Sequence, residues 1–293
     1  MPAPTVVPDH YAAPHATAMG RAWRWLTALA IWGTIFLNYY SNTHPFNGQT
    51  MGQVSAKYPT LLTPAGYAFS IWGLIFLSLL VYSVWQLLPH QRSLSFPDAV
   101  ARPLTLACVA TSAWVVVFAY ELILPSVGVM LLLLACLVVT YGRARRRIFA
   151  DAAPALAGVP FSLFLGWISV ASAINITIGL RLLGWQTAEG LSLVFAILLF
   201  VVLVGLGFTI SRAFRDMIFP LVVAWALVAI WVARLREIPE LGWAALAAAT
   251  AVAIGGVVLS RLGGRKTPWQ LRDEAAAAIE AEIAARKAAR VEE

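Results

Sequence analysis

Trp167, Ala171 and Asn175 stand at i, i+4 and i+8 in the run FSLFLGWISVASAINITIGL. On a helix that spacing keeps them on one face, drifting by about 40° per step. The face presents an indole, a small surface that permits close approach, and an amide. Such a set neither moves protons nor makes a nucleophile. It can receive a flat apolar molecule, with the indole packing on its ring and the amide bonding a polar edge. The competing structural readings are core packing of the indole and an interhelical hydrogen bond from Asn175, since an amide inside a membrane span needs a partner or a cavity.

The chain has 12 tryptophans, and ten of them fall into two groups by position. Trp23, Trp25, Trp185, Trp243 and Trp269 lie near the ends of apolar runs, where interfacial anchoring explains them. Trp32, Trp72, Trp114, Trp167 and Trp225 lie well inside such runs, and a buried indole N–H needs an acceptor. A long segment from Ser41 to Tyr67, SNTHPFNGQTMGQVSAKYPTLLTPAGY, separates the first two runs. It has a single Lys, which is too little charge for a merely solvated connector, and long ordered loops often serve as lids. Asn38, Asn42, Pro45, Phe46 and Asn47 are candidate ligand contacts on that argument.

Conventional catalytic sets are missing from the sequence. His10, His15, His44 and His90 all lie outside the apolar runs, so a bis-His haem between helices is not expected, although His44 could ligate a metalloporphyrin from one side. Cys108 and Cys136 sit in apolar runs with no C-x-x-C and read as small buried hydrophobes. No H-E-x-x-H, Walker loop or Ser/His/Asp set is present. Glu121 and Arg181 fall near span ends on the same side and are expected to pair. With no acid at mid-membrane, an ion-coupled pump is disfavoured. The pattern Leu137–Tyr141–Arg143 is explained by residues snorkelling to an interface.

These residues must be positioned by helices in a membrane. Sixty per cent of the residues are hydrophobic and 12% charged, against about 25% charged for a soluble domain. Several runs reach the roughly 20 residues a spanning helix needs, and the alternation of a β-barrel is absent. The pattern predicts an all-α, polytopic bundle of about eight transmembrane helices near 22–40, 65–88, 103–124, 126–142, 160–183, 190–211, 217–235 and 241–260. Pro125 marks a tight hairpin between the third and fourth.

With the N-terminus cytoplasmic, 17 of the 21 Lys and Arg residues fall inside. Only Lys57, Arg181, Arg234 and Arg236 fall outside. The positive-inside rule therefore places both termini in the cytoplasm, and an inner or plasma membrane of bacterial type is expected. The net charge of +7 follows the membrane and does not suggest nucleic acid. Residues 1–20 read as a disordered tail without a cleavable signal peptide, and residues 263–293 as a charged, solvated cytoplasmic helix.

Taken together, these residues resemble the TspO/MBR family, the tryptophan-rich sensory proteins related to the mitochondrial translocator protein. Pro64-Ala-Gly-Tyr67-Ala-Phe69-Ser-Ile-Trp72 is similar to the family's entry to its second helix. Trp114-Val-Val-Val-Phe118 is similar to its third-helix W…F motif, and Trp167-x3-Ala171-x3-Asn175 to its fifth-helix signature. The likeness covers about residues 25–183. It departs in the Tyr67–Trp72 spacing, in Ala113 before Trp114, and in three further helices. The resemblance implies a five-helix bundle over residues 21–184, followed by three additional helices over 185–262.

It also implies an outward cavity, lidded by the first loop, that binds porphyrins or sterol-like molecules. Trp114, Trp167, Ala171 and Asn175 would line that cavity, joined by Tyr67, Phe69 and Trp72 from the second helix. The function so implied is a membrane sensor for a tetrapyrrole or similar flat apolar ligand, with a transporter of a hydrophobic solute as the alternative. No enzyme activity is expected beyond the light-dependent porphyrin breakdown of some relatives. No cofactor is required, porphyrin or haem entering as ligand. The expected partners are membrane lipid, a small apolar ligand and, compatibly, a second copy of the chain.

Overall fold

The computed structural model describes residues 18–150, 153–185 and 189–262, with 277 and 279–281 of the C-terminal tail. The N-terminal tail, and the C-terminal helix expected beyond 263 save those four positions, lie outside the described residues. No strand occurs among the described residues. The helices are α1 (Ala18–Thr43), α2 (Met51–Lys57), α3 (Ile71–Trp85), α4 (Ser95–Ala119), α5 (Ile123–Phe149), α6 (Val159–Leu182), α7 (Glu189–Phe214), α8 (Ile218–Arg234) and α9 (Pro239–Leu262). A 3₁₀ turn, Gly66–Ser70, leads into α3.

Eight of these helices are long, matching the expected number. Six are long and apolar enough to cross a membrane by length and composition. Of the other two, α8 is apolar but has 17 residues, about 26 Å of helix. The polar content of α1 is the reason it differs, for it carries Arg21, Arg24, Asn38 and Asn42.

Arg24 also explains the largest boundary difference. α4 begins at Ser95, two turns before position 103, where the third apolar run is expected to begin. Arg24 is buried, and its guanidinium donates to Asp98 Oδ1 (2.6 Å), the Gln91 carbonyl (2.8 Å) and the Leu94 carbonyl (2.6 Å). It thus satisfies carbonyls of the α3–α4 connection and holds the first turn of α4. Pro97 lies in that first turn, where a missing N–H costs nothing, and Pro103 is carried inside the helix. The α4–α5 hairpin is as tight as expected. Its corner residue Glu121 adopts φ 56°, a left-handed conformation uncommon outside glycine.

One apolar core draws on every long helix. The last three helices enter it through Phe200, Phe219, Leu227 and Leu241, among others. Glycines let α8 come close to its neighbours. A Cβ built on Gly166 of α6 would lie 2.9 Å from Val222 Cβ, and one on Gly256 of α9 would lie 2.7 Å from Pro220 Cγ. Lipid tails are as apolar as leucine, so helix association relies on such close packing and on buried polar contacts.

One polar contact is conspicuous. At the end of the bundle where α1 begins, Asp216 precedes α8 and is fully buried. It pairs with Arg145 of α5, and accepts from Tyr141 Oη (2.9 Å) and Ser162 Oγ (2.6 Å). Its other oxygen accepts from the backbone N–H groups of Ile218 and Phe219 (2.8 and 3.3 Å). One carboxylate therefore joins α5, α6 and the N-terminus of α8, where the helix dipole favours negative charge.

Candidate functional site: an aromatic site under the first loop

The opposite end of the bundle carries the long first loop, which is not irregular throughout. Thr50 and Gln53 form a capping box, with Thr50 N–H donating to Gln53 Oε1 (2.8 Å) and Gln53 N–H to Thr50 Oγ1 (3.4 Å). This pattern starts α2. α2 then inserts Val54, fully buried, among Phe118, Ile123 and Ile178 of α4, α5 and α6. Met51, Tyr58, Trp114 and Ile174 pack around this small cluster. α2 is seated on the ends of three helices.

Four fastenings hold it. Glu121 collects three donors from the loop, namely Lys57 Nζ (2.6 Å), Tyr58 Oη (2.8 Å) and Gln49 Nε2 (3.4 Å). The lysine hydrogen bond, then that from Tyr58, hold the Glu121 carboxyl below the usual carboxylate range. The same hydrogen bond to Glu121 pushes the Tyr58 phenol up. Arg181 donates to the Pro59 carbonyl. Arg234 of α8 donates to the Thr60 and Thr63 carbonyls (2.9 and 3.4 Å) and pairs with Glu237 (2.6 Å). Ala65 N–H donates to the Ala229 carbonyl (3.0 Å). The expected Glu121–Arg181 pair is therefore corrected. Each group sits where expected, but each finds its partner in the loop between them, whose donors and carbonyls sequence spacing does not place.

Beneath α2, Trp114 packs against both apolar clusters. Its ring stacks on Phe118 one turn along α4, with centroids 4.7 Å apart and planes at 14°. Its Nε1–H is buried with no hydrogen-bond partner. Trp167 is 2% exposed and meets Phe69 edge to face (5.8 Å, 78°). Trp72 stacks on Phe76 (5.1 Å) and meets Phe164 at 5.8 Å. Ala171 is half-buried and Asn175 buried, and Ser126 Oγ of α5 donates to Asn175 Oδ1 (3.4 Å).

The structure thus brings Phe69 and Trp72 from α3 and the turn before it onto the α6 face of Trp167. Tyr67 turns the other way. It is exposed and packs edge to face on Trp225 of α8 (5.3 Å, 83°). Trp225 Nε1 donates to the Ala68 carbonyl (3.1 Å).

The loop candidates lie at the rim. Asn38 is buried and donates to the Thr34 carbonyl (2.9 Å), and Asn42 to the Asn38 carbonyl (2.8 Å). Pro45 and Phe46 are half-buried and Asn47 is exposed. The Phe46 ring is 6.0 Å from Tyr40. Between the loop and the end of α6 lies an open cleft of about 200 Å³, lined by Lys57, Tyr58, Pro59, Thr60, Ile178, Arg181 and Leu182.

Nothing in the local sequence marks the burial of Val54, the three donors on Glu121 or the Arg234 strap. The capping-box residues Thr50 and Gln53 were the available signal for α2. Among the described residues no group of three His, Cys, Asp or Glu could hold a metal ion.

No curated protein and no solved structure matches the chain. The family model of TSPO-like proteins matches residues 24–258, from α1 into α9. That family is broadly one of membrane sensing and binding, generally without enzymatic activity. The match spans most of a bundle in which six helices are long and apolar enough for a bilayer; this chain is an integral membrane protein and belongs to the TSPO-like family.

Proposed function

We propose that the protein is a membrane sensor that binds a flat apolar ligand of tetrapyrrole type beneath α2, on the surface formed by Trp114, Ile174 and the Trp167 face. The observation that carries this reading is the indole N–H of Trp114. It is buried without an acceptor directly below the lid, and a buried unpartnered donor is costly unless something bonds it. A ligand with a polar edge on an apolar ring supplies both the acceptor and the ring. Asn175 is the second polar contact, on the face that also holds Trp167. Phe118 already covers one face of Trp114, so the ligand takes the other. Val54 fills the space above, so entry requires α2 to lift from Glu121. With both termini cytoplasmic, as the distribution of Lys and Arg favours, the lid faces outward.

Tryptophan-fluorescence quenching by protoporphyrin IX in purified protein tests this. Trp114→Phe keeps an aromatic face, smaller than the indole, and deletes the N–H. One hydrogen bond is worth about 1 kcal/mol, so Kd should rise about fivefold. If Trp114→Phe and Trp114→Ala both bind as tightly as wild type, the site is wrong.

A further inference from the structure

The cleft outside the lid has a chemistry of its own, apart from the Trp114 site. Its two cations are Lys57, at the end of α2 in the loop, and Arg181, in the last turn of α6. Lys57 is neutralised by Glu121 at 2.6 Å. Arg181 donates to a neutral carbonyl, that of Pro59, and among the described residues it has no carboxylate partner. Among the described residues, then, its positive charge stands without a carboxylate at the edge of a cavity. The loop wall adds Tyr58, Pro59 and Thr60, and Ile178 and Leu182 form an apolar α6 wall. Immediately beyond, the chain exposes Leu182, Leu183 and Trp185 (53, 67 and 46%). Trp185 leans edge to face on Phe195 of α7 (5.1 Å). A tryptophan and two leucines at a helix end are what a chain presents at the level of lipid headgroups.

We infer that this cleft seats the phosphate head of one anionic phospholipid, with its acyl chains lying along Leu182, Leu183 and Trp185. Guanidinium suits the task because its planar fork retains further donors after one is used on a carbonyl, and it pairs with phosphate through charge-assisted bonds. A lipid so held bridges α6 and the loop segment 57–60, and braces the closed lid from outside.

The test is native mass spectrometry of the full chain released from nanodiscs containing equal amounts of phosphatidylglycerol and phosphatidylcholine with identical acyl chains. Wild type should retain one phosphatidylglycerol in preference to phosphatidylcholine by about tenfold, the scale of one charge-assisted contact. Arg181→Gln should lose that preference. Leu182→Glu should lose it as well, because it places an anion beside the cleft while leaving the Arg181–Pro59 contact in place. It therefore decides the matter even if Arg181→Gln loosens the loop. Equal retention of the two lipids by wild type overturns the inference, as does unchanged preference in Leu182→Glu. Displacement of phosphatidylglycerol by an equal concentration of inorganic phosphate overturns it too, for the cleft would then recognise the free anion.

Discussion

Replacing Asp216 by Asn removes one charge and turns the oxygen that accepts from Tyr141 and Ser162 into a donor NH2. The side chain keeps its size, and an oxygen remains to accept from the N–H groups of Ile218 and Phe219. The Tyr141 and Ser162 hydroxyls can turn to accept from that NH2, but Arg145, which only donates, cannot. The side chains of Arg145 and Asp216 are only 9% and 1% exposed. Arg145 then keeps Ser162 Oγ (2.9 Å) and the face of Tyr141 (5.2 Å) but has no counter-charge there. Leaving one member of a buried pair uncompensated costs about 3–5 kcal/mol. Replacing both members with uncharged groups removes that penalty. Arg145→Met with Asp216→Asn should thus stand within about 1–2 kcal/mol of wild type, the residual being lost hydrogen bonds.

The order of stability expected is wild type, then the double variant, then Asp216→Asn. Equilibrium unfolding in mixed detergent micelles, followed by far-ultraviolet circular dichroism, reads it directly. A double variant as unstable as Asp216→Asn, or more so, would refute the reasoning, since the loss would then lie in packing and not in stranded charge. The consequence should reach the other end of the bundle. α8 carries Trp225, Ala229 and Arg234, which hold the loop, so Asp216→Asn should weaken porphyrin binding without touching the site.

Two other outcomes are expected. A spin label at Ala56→Cys, on the exposed side of α2, should be immobile at neutral pH and become mobile in Glu121→Gln. Because the folded-state pKa of Glu121 is depressed, its fastening is fully present above the ordinary carboxylate range and is lost as pH falls through the lowered value. Wild type should therefore release the lid only in acid, and electron paramagnetic resonance line shapes across that range check it. Gly166→Ala pushes a methyl against Val222 and the Phe219 carbonyl. Overpacking of this kind costs about 1–3 kcal/mol and should appear as a lower midpoint in the same unfolding assay, with no change in secondary structure.

The helices were legible because lipid imposes length and apolarity on any spanning segment, and every one of the eight long helices lies where an apolar run predicts it. The Trp167–Ala171–Asn175 face was legible for the same kind of reason, since spacing on a helix fixes which residues share a side. The Arg24 anchorage that extends α4, the Glu121 fastening and the Arg145–Asp216 pair were not. Each joins groups far apart in sequence, and periodicity reports a face without reporting what stands opposite.

In a soluble protein the apolar face points to the core and the pattern says which side is buried. In a bilayer the core and the solvent are both apolar, so the sequence by itself determined that this chain is a membrane bundle and which residues share a helix face. It left open which tryptophans turn inward. Trp32 and Trp167 both lie in apolar runs, yet Trp32 is 42% exposed, its indole tied to Ser83 Oγ at 2.8 Å, while Trp167 is 2% exposed. Only the tertiary structure decided between them. The choice rests on close packing at small residues and on where buried polar groups find partners, and both depend on a neighbouring helix that the local sequence does not contain.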